Sequence, residues 1–251
     1  MSNFHKNFII KISLTNKIKT LYYIKQGGII MNECKISNLY NLEQTISKEI
    51  FSNCKYPWEV LPKIKDFIIE LGNSLPSSEY DKIGENIWVA KSAKIAPTAY
   101  ISGPTIIDKN AEVRHCAFIR QNAIVGENCV VGNSTELKNC ILFNEVQVPH
   151  YNCIGDSILG YRTHLGAGAI ISNLKSDKTS VVVKKDISKI ETGLRKFGAA
   201  LGDNVEVGCG AVLNPGTVIG KNSNIYPLSC VRGVIGEKCI YKKQGEIVNK
   251  F

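Results

Sequence analysis

Aliphatic residues recur every six positions over the middle of the chain without a slip: Val89, Ile95, Ile101, Ile107, Val113, Ile119, Val125, Val131 and Leu137. Four places after each, through Thr135, stands a small side chain, as at Ala93, Ala99, Thr105, Ala111, Ala117, Ala123 and Cys129. The period restarts as Leu201, Val207, Leu213, Ile219, Ile225 and Val231, again with small residues at Ala211, Thr217, Ser223 and Ser229. A short fixed period of this kind is the signature of a parallel β-helix. Each hexad supplies one strand and a corner, so three hexads close a triangular coil. The aliphatic residue points inward, and the small one lets the chain turn without a clash. Coils stacked about 4.8 Å apart pair their backbones along the axis. At roughly 2 kcal/mol per buried aliphatic side chain, the resulting column holds a solenoid together. The pattern predicts a mainly β chain, a left-handed parallel β-helix of hexapeptide repeats over residues 81–241.

Helical periodicity precedes it. Residues 41–51 space Leu42, Ile46, Ile50 and Phe51 as a helix does, and Val60, Leu61, Ile64, Phe67, Ile68 and Leu71 trace one apolar face that stops near Gly72. These helices make residues 31–80 a short N-terminal helical cap, expected to cover the open end of the solenoid, where unpaired backbone invites edge association. From Leu137 the period stumbles, resumes at Val148 and Ile154, loses a residue to Leu159 and continues through Leu165 and Ile171. No hexad is legible over 172–200, which reads as an extended basic loop insertion with a short strand at 180–183. Residues 242–251 read as a tail or final strand.

Charge changes the picture only at the start of the chain. The formal net charge is +9, but Lys6, Lys11, Lys17, Lys19 and Lys25 stand in an opening stretch with no acid, leaving about +4 for the rest. That balance does not call for nucleic acid as a partner. Residues 1–30 lack a long apolar run, so they read as neither a transmembrane helix nor a signal peptide. With Met31-Asn32-Glu33 resembling a natural start, they are expected to be a basic, disordered extension. The nine cysteines are scattered without a C-x-x-C pair, which fits reduced thiols in a cytoplasmic protein better than a disulfide framework or a zinc site.

Four histidines offer imidazoles: His5, His115, His150 and His164. His115 lies inside regular repeat and reads as a corner or surface residue. His150 falls in the irregular stretch, where a neutral imidazole could take a proton from an attacking amine.

The run Val131-Gly132-Asn133-Ser134-Thr135-Glu136-Leu137-Lys138-Asn139, then Pro149-His150 through Gly155-Asp156, then Leu165-Gly166-Ala167-Gly168-Ala169 through Asn173, resembles a known pattern. It is similar to the acetyltransferase domain of the bifunctional N-acetylglucosamine-1-phosphate uridyltransferases. Those enzymes read G-N-x-x-E-x-K, H-x-x-x-x-G-D and I-G-A-G-T in that order. Glu191-Thr192-Gly193-Leu194-Arg195-Lys196-Phe197-Gly198-Ala199 looks more like the S-G-R-R-K-L-G-A of archaeal sugar-1-phosphate nucleotidyltransferase/acetyltransferases. The resemblance covers roughly residues 85–235.

Carried over residue by residue, the resemblance makes His150 the general base that deprotonates a sugar amine. It places Arg120 and Lys138 at the sugar phosphate, and Asn173 and Lys178 at the sugar. Ala167 and Cys209 fall where the family lays its backbone along acetyl-CoA; because coenzyme A carries phosphates, the basic loop 172–200 and Arg232 are further contact candidates for it. It implies acetyl-CoA as co-substrate, no tightly bound metal, and a homotrimer with active sites between subunits. Two departures bear on the acceptor: Cys153 stands where the family has a tyrosine, and His164 where it has an asparagine. A third is the nucleotidyltransferase domain, which the roughly 80 residues before the repeats do not house. The leading expectation is therefore an acyl-CoA-dependent N-acetyltransferase acting on an amino sugar phosphate or nucleotide sugar. The alternatives are a non-catalytic sugar-nucleotide-binding or scaffold protein of the same fold and, more distantly, a zinc-dependent γ-type carbonic anhydrase.

Overall fold

The computed structural model describes residues 32–250, so the expectation for residues 1–30 lies outside the described residues. The chain forms the left-handed parallel β-helix that its hexads predict, with a helical segment before it and an insertion within it. Three sheet faces run the length of the solenoid. The first stacks Lys94–Ile95, Glu112–Val113, Val130–Asn133, Gln147–His150, His164–Leu165, Glu206–Val207 and Asn224–Ile225 in parallel register. The long strands Phe118–Val125, Glu136–Leu142 and Cys153–Leu159 form the second face and bend around a corner into the third. Ile170–Ile171, Val212–Leu213 and Cys230–Val231 continue the second face; Ala199–Leu201, Thr217–Ile219 and Val234–Ile235 continue the third.

The hexad aliphatics line the interior: Val113, Ile119, Val125, Val131, Leu137, Leu165 and Leu213 are fully or almost fully buried. The small residues are buried too, among them Ala111, Ala117, Ala123, Cys129 and Thr135. They fill the narrow space where two faces converge, and the residue before each makes the turn. Asn110, Cys116, Asn122, Asn128 and Ser134 all have φ between 52° and 61°. This left-handed region is one that Asn tolerates better than most side chains. Turning is thus the work of the third residue after the aliphatic, while the fourth stays small because it points inward.

The stumble after Leu137 is a one-residue deletion at the corner between the second and third faces. Asn122, Asn139 and Asp156 occupy that corner in three successive coils, all in left-handed conformation. The register shifts between Ile119 and Gln121, so that Gln121, not Arg120, pairs with Lys138. Arg120 is the bulged extra residue. Beyond the shift, Val125, Leu142 and Leu159 are again level.

The helical segment departs from expectation in form and place. Residues 41–51 make two 3-10 turns, Leu42–Gln44 and Lys48–Phe51, instead of one α-helix. Asn41 Oδ1 accepts from Glu43 N at 3.2 Å, and Thr45 Oγ1 accepts from Ser47 N at 3.1 Å, local bonds that compete with the helical ladder. An α-helix, α1, spans Ile64–Ser74 and buries Ile64, Ile68 and Gly72. It packs along the flank of the coils, against the strands that bear Ile106, Ile124 and Ile141, and not across the open end. The first coil is covered by an antiparallel strand, Tyr80–Gly84, paired to Ile87–Ala90. The last coil is covered likewise by Glu246–Asn249, paired to Cys239–Lys243, in the region expected to be a tail or final strand.

The insertion is more ordered than a loop. Val182–Lys185 and Ser188–Glu191 form an antiparallel hairpin, starting two residues later than the expected strand. Val181, Val183 and Phe197 are fully buried. Gly216 and Gly233 admit the hairpin: a Cβ on Gly233 would lie 2.4 Å from Lys184 O. Phe197 meets Trp58 with ring centroids 5.5 Å apart, which ties the insertion to the helical segment.

Candidate functional site

Two corners of the triangle hold the residues singled out from the sequence. At the corner between the first and second faces, successive coils stack Asn133, His150, Ala167 and Cys209. Tyr151 N donates to Asn133 O at 2.9 Å, Gly168 N to His150 O at 3.0 Å, and Gly210 N to Ala167 O at 2.9 Å. His150, Ala167 and Cys209, separated by up to 59 positions in sequence, therefore form one continuous edge. The His150 side chain is exposed, and among the described residues it has no hydrogen-bond partner.

Asn152 fixes that corner from inside. It is 2% exposed; its Oδ1 accepts from His150 N at 3.2 Å, and its Nδ2 donates to Gly166 O at 2.9 Å and Ala169 O at 3.2 Å. Four satisfied bonds, counting Asn152 N to Thr135 Oγ1, hold a buried amide that would otherwise be costly. The sequence reading missed Asn152; the clue was a polar residue beside the left-handed Tyr151, where the hexad pattern asks for a small one.

The corner between the second and third faces carries a second cluster, centred on Asp156, which is 4% exposed. Lys138 Nζ lies 3.2 Å from its Oδ1, Asn139 Nδ2 donates to Oδ1 at 2.8 Å, and Asn173 Nδ2 donates to Oδ2 at 2.5 Å. Three donors from neighbouring coils thus converge on one buried carboxylate. The resemblance assigns the Gly155-Asp156 pair no role; only the fold makes Asp156 the hub. Arg120 Nη1, reaching out from the bulge, donates to Glu136 Oε1 at 3.2 Å on the same face.

Cys153 stands on the second face beside both, level with Glu136. Its thiol is pushed up from 9.0, chiefly by burial, next by the Glu136 charge, with Arg120 opposing. It stays protonated near neutrality, which disfavours a thiolate nucleophile.

The remaining candidates lie apart. His164 projects from the first face, its Nδ1 2.8 Å from Glu206 Oε2. Lys178 sits at an exposed turn of the insertion, where its N donates to Lys175 O at 3.0 Å. Arg232 is at the far end of the second face from Cys209. It lines a groove of about 420 Å³ between solenoid and insertion, together with Lys175 and Lys184. The imidazoles do not converge as a zinc site needs: His115 and His150 are two coils apart in one column with Asn133 between them, and His164 lies level with Gln147, toward the other end of the first face.

The family described as GMPPB C-terminal domain matches residues 101–194. The "Bifunctional protein GlmU" of Methanococcus maripaludis strain C5 is 30% identical over 278 aligned positions, covering 99% of this chain and 62% of the relative. Its Methanococcus vannielii counterpart is 32% identical over 160, covering 63% and 34%. The bifunctional sugar-1-phosphate nucleotidylyltransferase/acetyltransferase of Sulfurisphaera tokodaii is 34% identical over 103, covering 41% and 26%. The chain thus spans from about a quarter to three fifths of the length of these curated relatives. Among solved structures, the acetyltransferase domain of PglB from Neisseria gonorrhoeae, in complex with acetyl coenzyme A, aligns at a TM-score of 0.29. Its identity is 13%, with 62% of this chain and 53% of that one covered. The chain is a β-helix protein of hexapeptide repeats, related in sequence to the bifunctional GlmU proteins.

Proposed function

We propose that the chain is an acetyl-CoA-dependent N-acetyltransferase whose acceptor is a phosphorylated amino sugar. The observation that supports this most is the edge on which His150, Ala167 and Cys209 follow one another in consecutive coils. An exposed imidazole on a backbone held by buried Asn152 suits a general base, because it is fixed in place yet free to bond substrate. The sugar amine attacks the thioester carbonyl, His150 takes the amine proton, and the thiol of coenzyme A leaves. The pantetheine lies along the edge at Ala167 and Cys209. The groove with Arg232, Lys175 and Lys184 offers cations to the phosphates of coenzyme A.

Arg120 and Lys138 receive the sugar phosphate, each exchanging its internal carboxylate for the ligand. Asn173 contacts the sugar from the Asp156 hub, with Lys178 and His164 farther out. Cys153 in place of a bulkier aromatic leaves room beside the acceptor, so it selects the sugar instead of taking part in chemistry. A single triangular face is too shallow to enclose a substrate, so the protein works as a homotrimer that shares its sites between subunits. Among the described residues no helix is long and apolar enough to cross a membrane.

The test is acetyl-CoA turnover with glucosamine-1-phosphate, galactosamine-1-phosphate and their nucleoside-diphosphate forms, run beside His150→Ala and with molar mass measured in solution. Turnover lost in the variant, by a protein of three-chain mass, is expected. No turnover across the panel, with His150→Ala binding ligand as well as the parent, would assign the fold to a non-catalytic binding or scaffold role.

A further inference from the structure

A pocket of about 390 Å³ opens directly beyond the Asp156 hub, in the size range of small-molecule sites. Asn139 and Asp156 form its floor. Leu61 and Pro62 from the helical segment and Leu194 from the insertion make an apolar wall, and Arg195 and Lys196 form its lip. The lip is held by a bridge between Leu174 and Lys196 and by Phe197 N, which donates to Asn173 O at 3.0 Å. Buried Phe197 anchors it from below.

The charges are unevenly matched. Arg120 is paired with Glu136 and Lys138 with Asp156, each at 3.2 Å. Arg195 and Lys196 are exposed, and among the described residues neither lies within ion-pair distance of a carboxylate. Two solvated cations alone would be an ordinary surface. Here they overhang a cavity that three structural units build together, opposite an apolar wall, with a buried carboxylate already neutralised by its donors. Such a pocket fits a ligand that joins a flat, weakly polar ring to more than one negative charge.

We infer that the pocket takes the nucleoside and outer phosphate of a nucleoside diphosphate, so that the acceptor is a nucleotide-linked amino sugar and not the bare sugar phosphate. This rests on the reading that Lys138 holds the phosphate next to the sugar. The same Asp156 carboxylate that Lys138 touches also lines the pocket, so a ligand whose inner phosphate is at Lys138 continues into it. The ring packs on Leu61, Pro62 and Leu194, and the outer phosphate meets the Arg195 guanidinium and the Lys196 ammonium.

Calorimetric titration of UDP and GDP into the full chain tests this without requiring turnover. Saturating acetyl-CoA is included so that its own nucleotide site is filled. At least one nucleoside diphosphate is expected to bind more tightly than inorganic diphosphate. The double variant Arg195→Glu, Lys196→Glu is expected to weaken that binding at least tenfold with an unchanged melting temperature, since both residues are exposed. The inference is overturned if neither nucleotide binds, or if the double variant binds it as well as the parent. Acetylation of a sugar-1-phosphate without nucleotide binding would sink the inference and leave the acetyltransferase reading intact. Nucleotide binding by a protein that acetylates nothing would do the reverse.

Discussion

Lys138 Nζ and Asp156 Oδ1 lie 3.2 Å apart across consecutive coils, with the carboxylate 6% and the lysine 22% exposed at their side chains. The same carboxylate binds Asn139 and Asn173, so one buried charge joins three coils to the root of the insertion. Asp156→Ala leaves a half-buried cation and two amides without their acceptor. Removing one partner of a buried pair costs about 3 kcal/mol. Urea unfolding is expected to show a loss of that order, and a smaller one for Asp156→Asn, which keeps an acceptor. An Asp156→Ala protein as stable as the parent would mean that the hub does not hold the corner together.

Replacing His150 with Ala is expected to lower acetyl transfer by roughly 10²- to 10⁴-fold, the usual worth of a general base. Acetyl-CoA affinity should be preserved, because Ala167 and Cys209 are on other coils. Single-turnover kinetics beside a binding titration separates the two. A His150→Ala enzyme at parental rate would remove the imidazole from the mechanism.

Gly132 lies under Pro149, the residue before the proposed base. A Cβ there would stand 1.6 Å from Pro149 O, so Gly132→Ala must displace backbone. Overpacking of this kind costs typically about 1–3 kcal/mol, which lowers the melting temperature by roughly 2–4 °C per kcal/mol in a chain of this size. The acetyl-transfer rate is expected to fall as well, because the displaced segment carries His150. A variant with an unchanged melting temperature would contradict the close approach of these coils.

Burial raises the Cys34 thiol from 9.0 to about 12, with the Glu33 charge adding to it and Lys185 opposing. The unfolded chain loses this proton near pH 9, while the folded one keeps it, so the contribution is full below that pH. It declines as pH rises between about 9 and 12. Stability measured against pH is expected to fall less steeply over that window in Cys34→Ala than in the parent. Parallel curves would show that the thiol ionises as easily folded as unfolded.

Thiol labelling offers a further check. Cys116, Cys209 and Cys230 are exposed, whereas the Cys153 thiol is raised by burial and by Glu136. Only the thiolate reacts, so among these four Cys153 is expected to be alkylated last at pH 8 and to gain most as the pH is raised. Mass spectrometry of partially labelled protein reads the order directly. First labelling at Cys153 would restore the thiol as a candidate nucleophile.

The solenoid was legible because inward positions are dictated locally. Every coil must bury an aliphatic such as Ile119 or Val131 at the same phase, and a small residue such as Ala123 must fit where two faces meet. Outward positions carry no such constraint, so sequence alone could propose His150, Ala167 and Cys209 only by resemblance. Tertiary structure decided that they share an edge, since the vertical neighbour of a residue depends on the length of each coil and on where the 172–200 insertion leaves and returns. The one-residue deletion showed in the sequence only as a stumble after Leu137; that it bulges Arg120 and levels Gln121 with Lys138 was decided by strand pairing. The Asp156 hub and the Arg195–Lys196 lip arise the same way, from side chains 17 to 58 positions apart brought together by backbone pairing. Local hydrophobic phase therefore fixed the spiral, whereas coil length and the packing of the inserted hairpin fixed which polar groups meet on its surface.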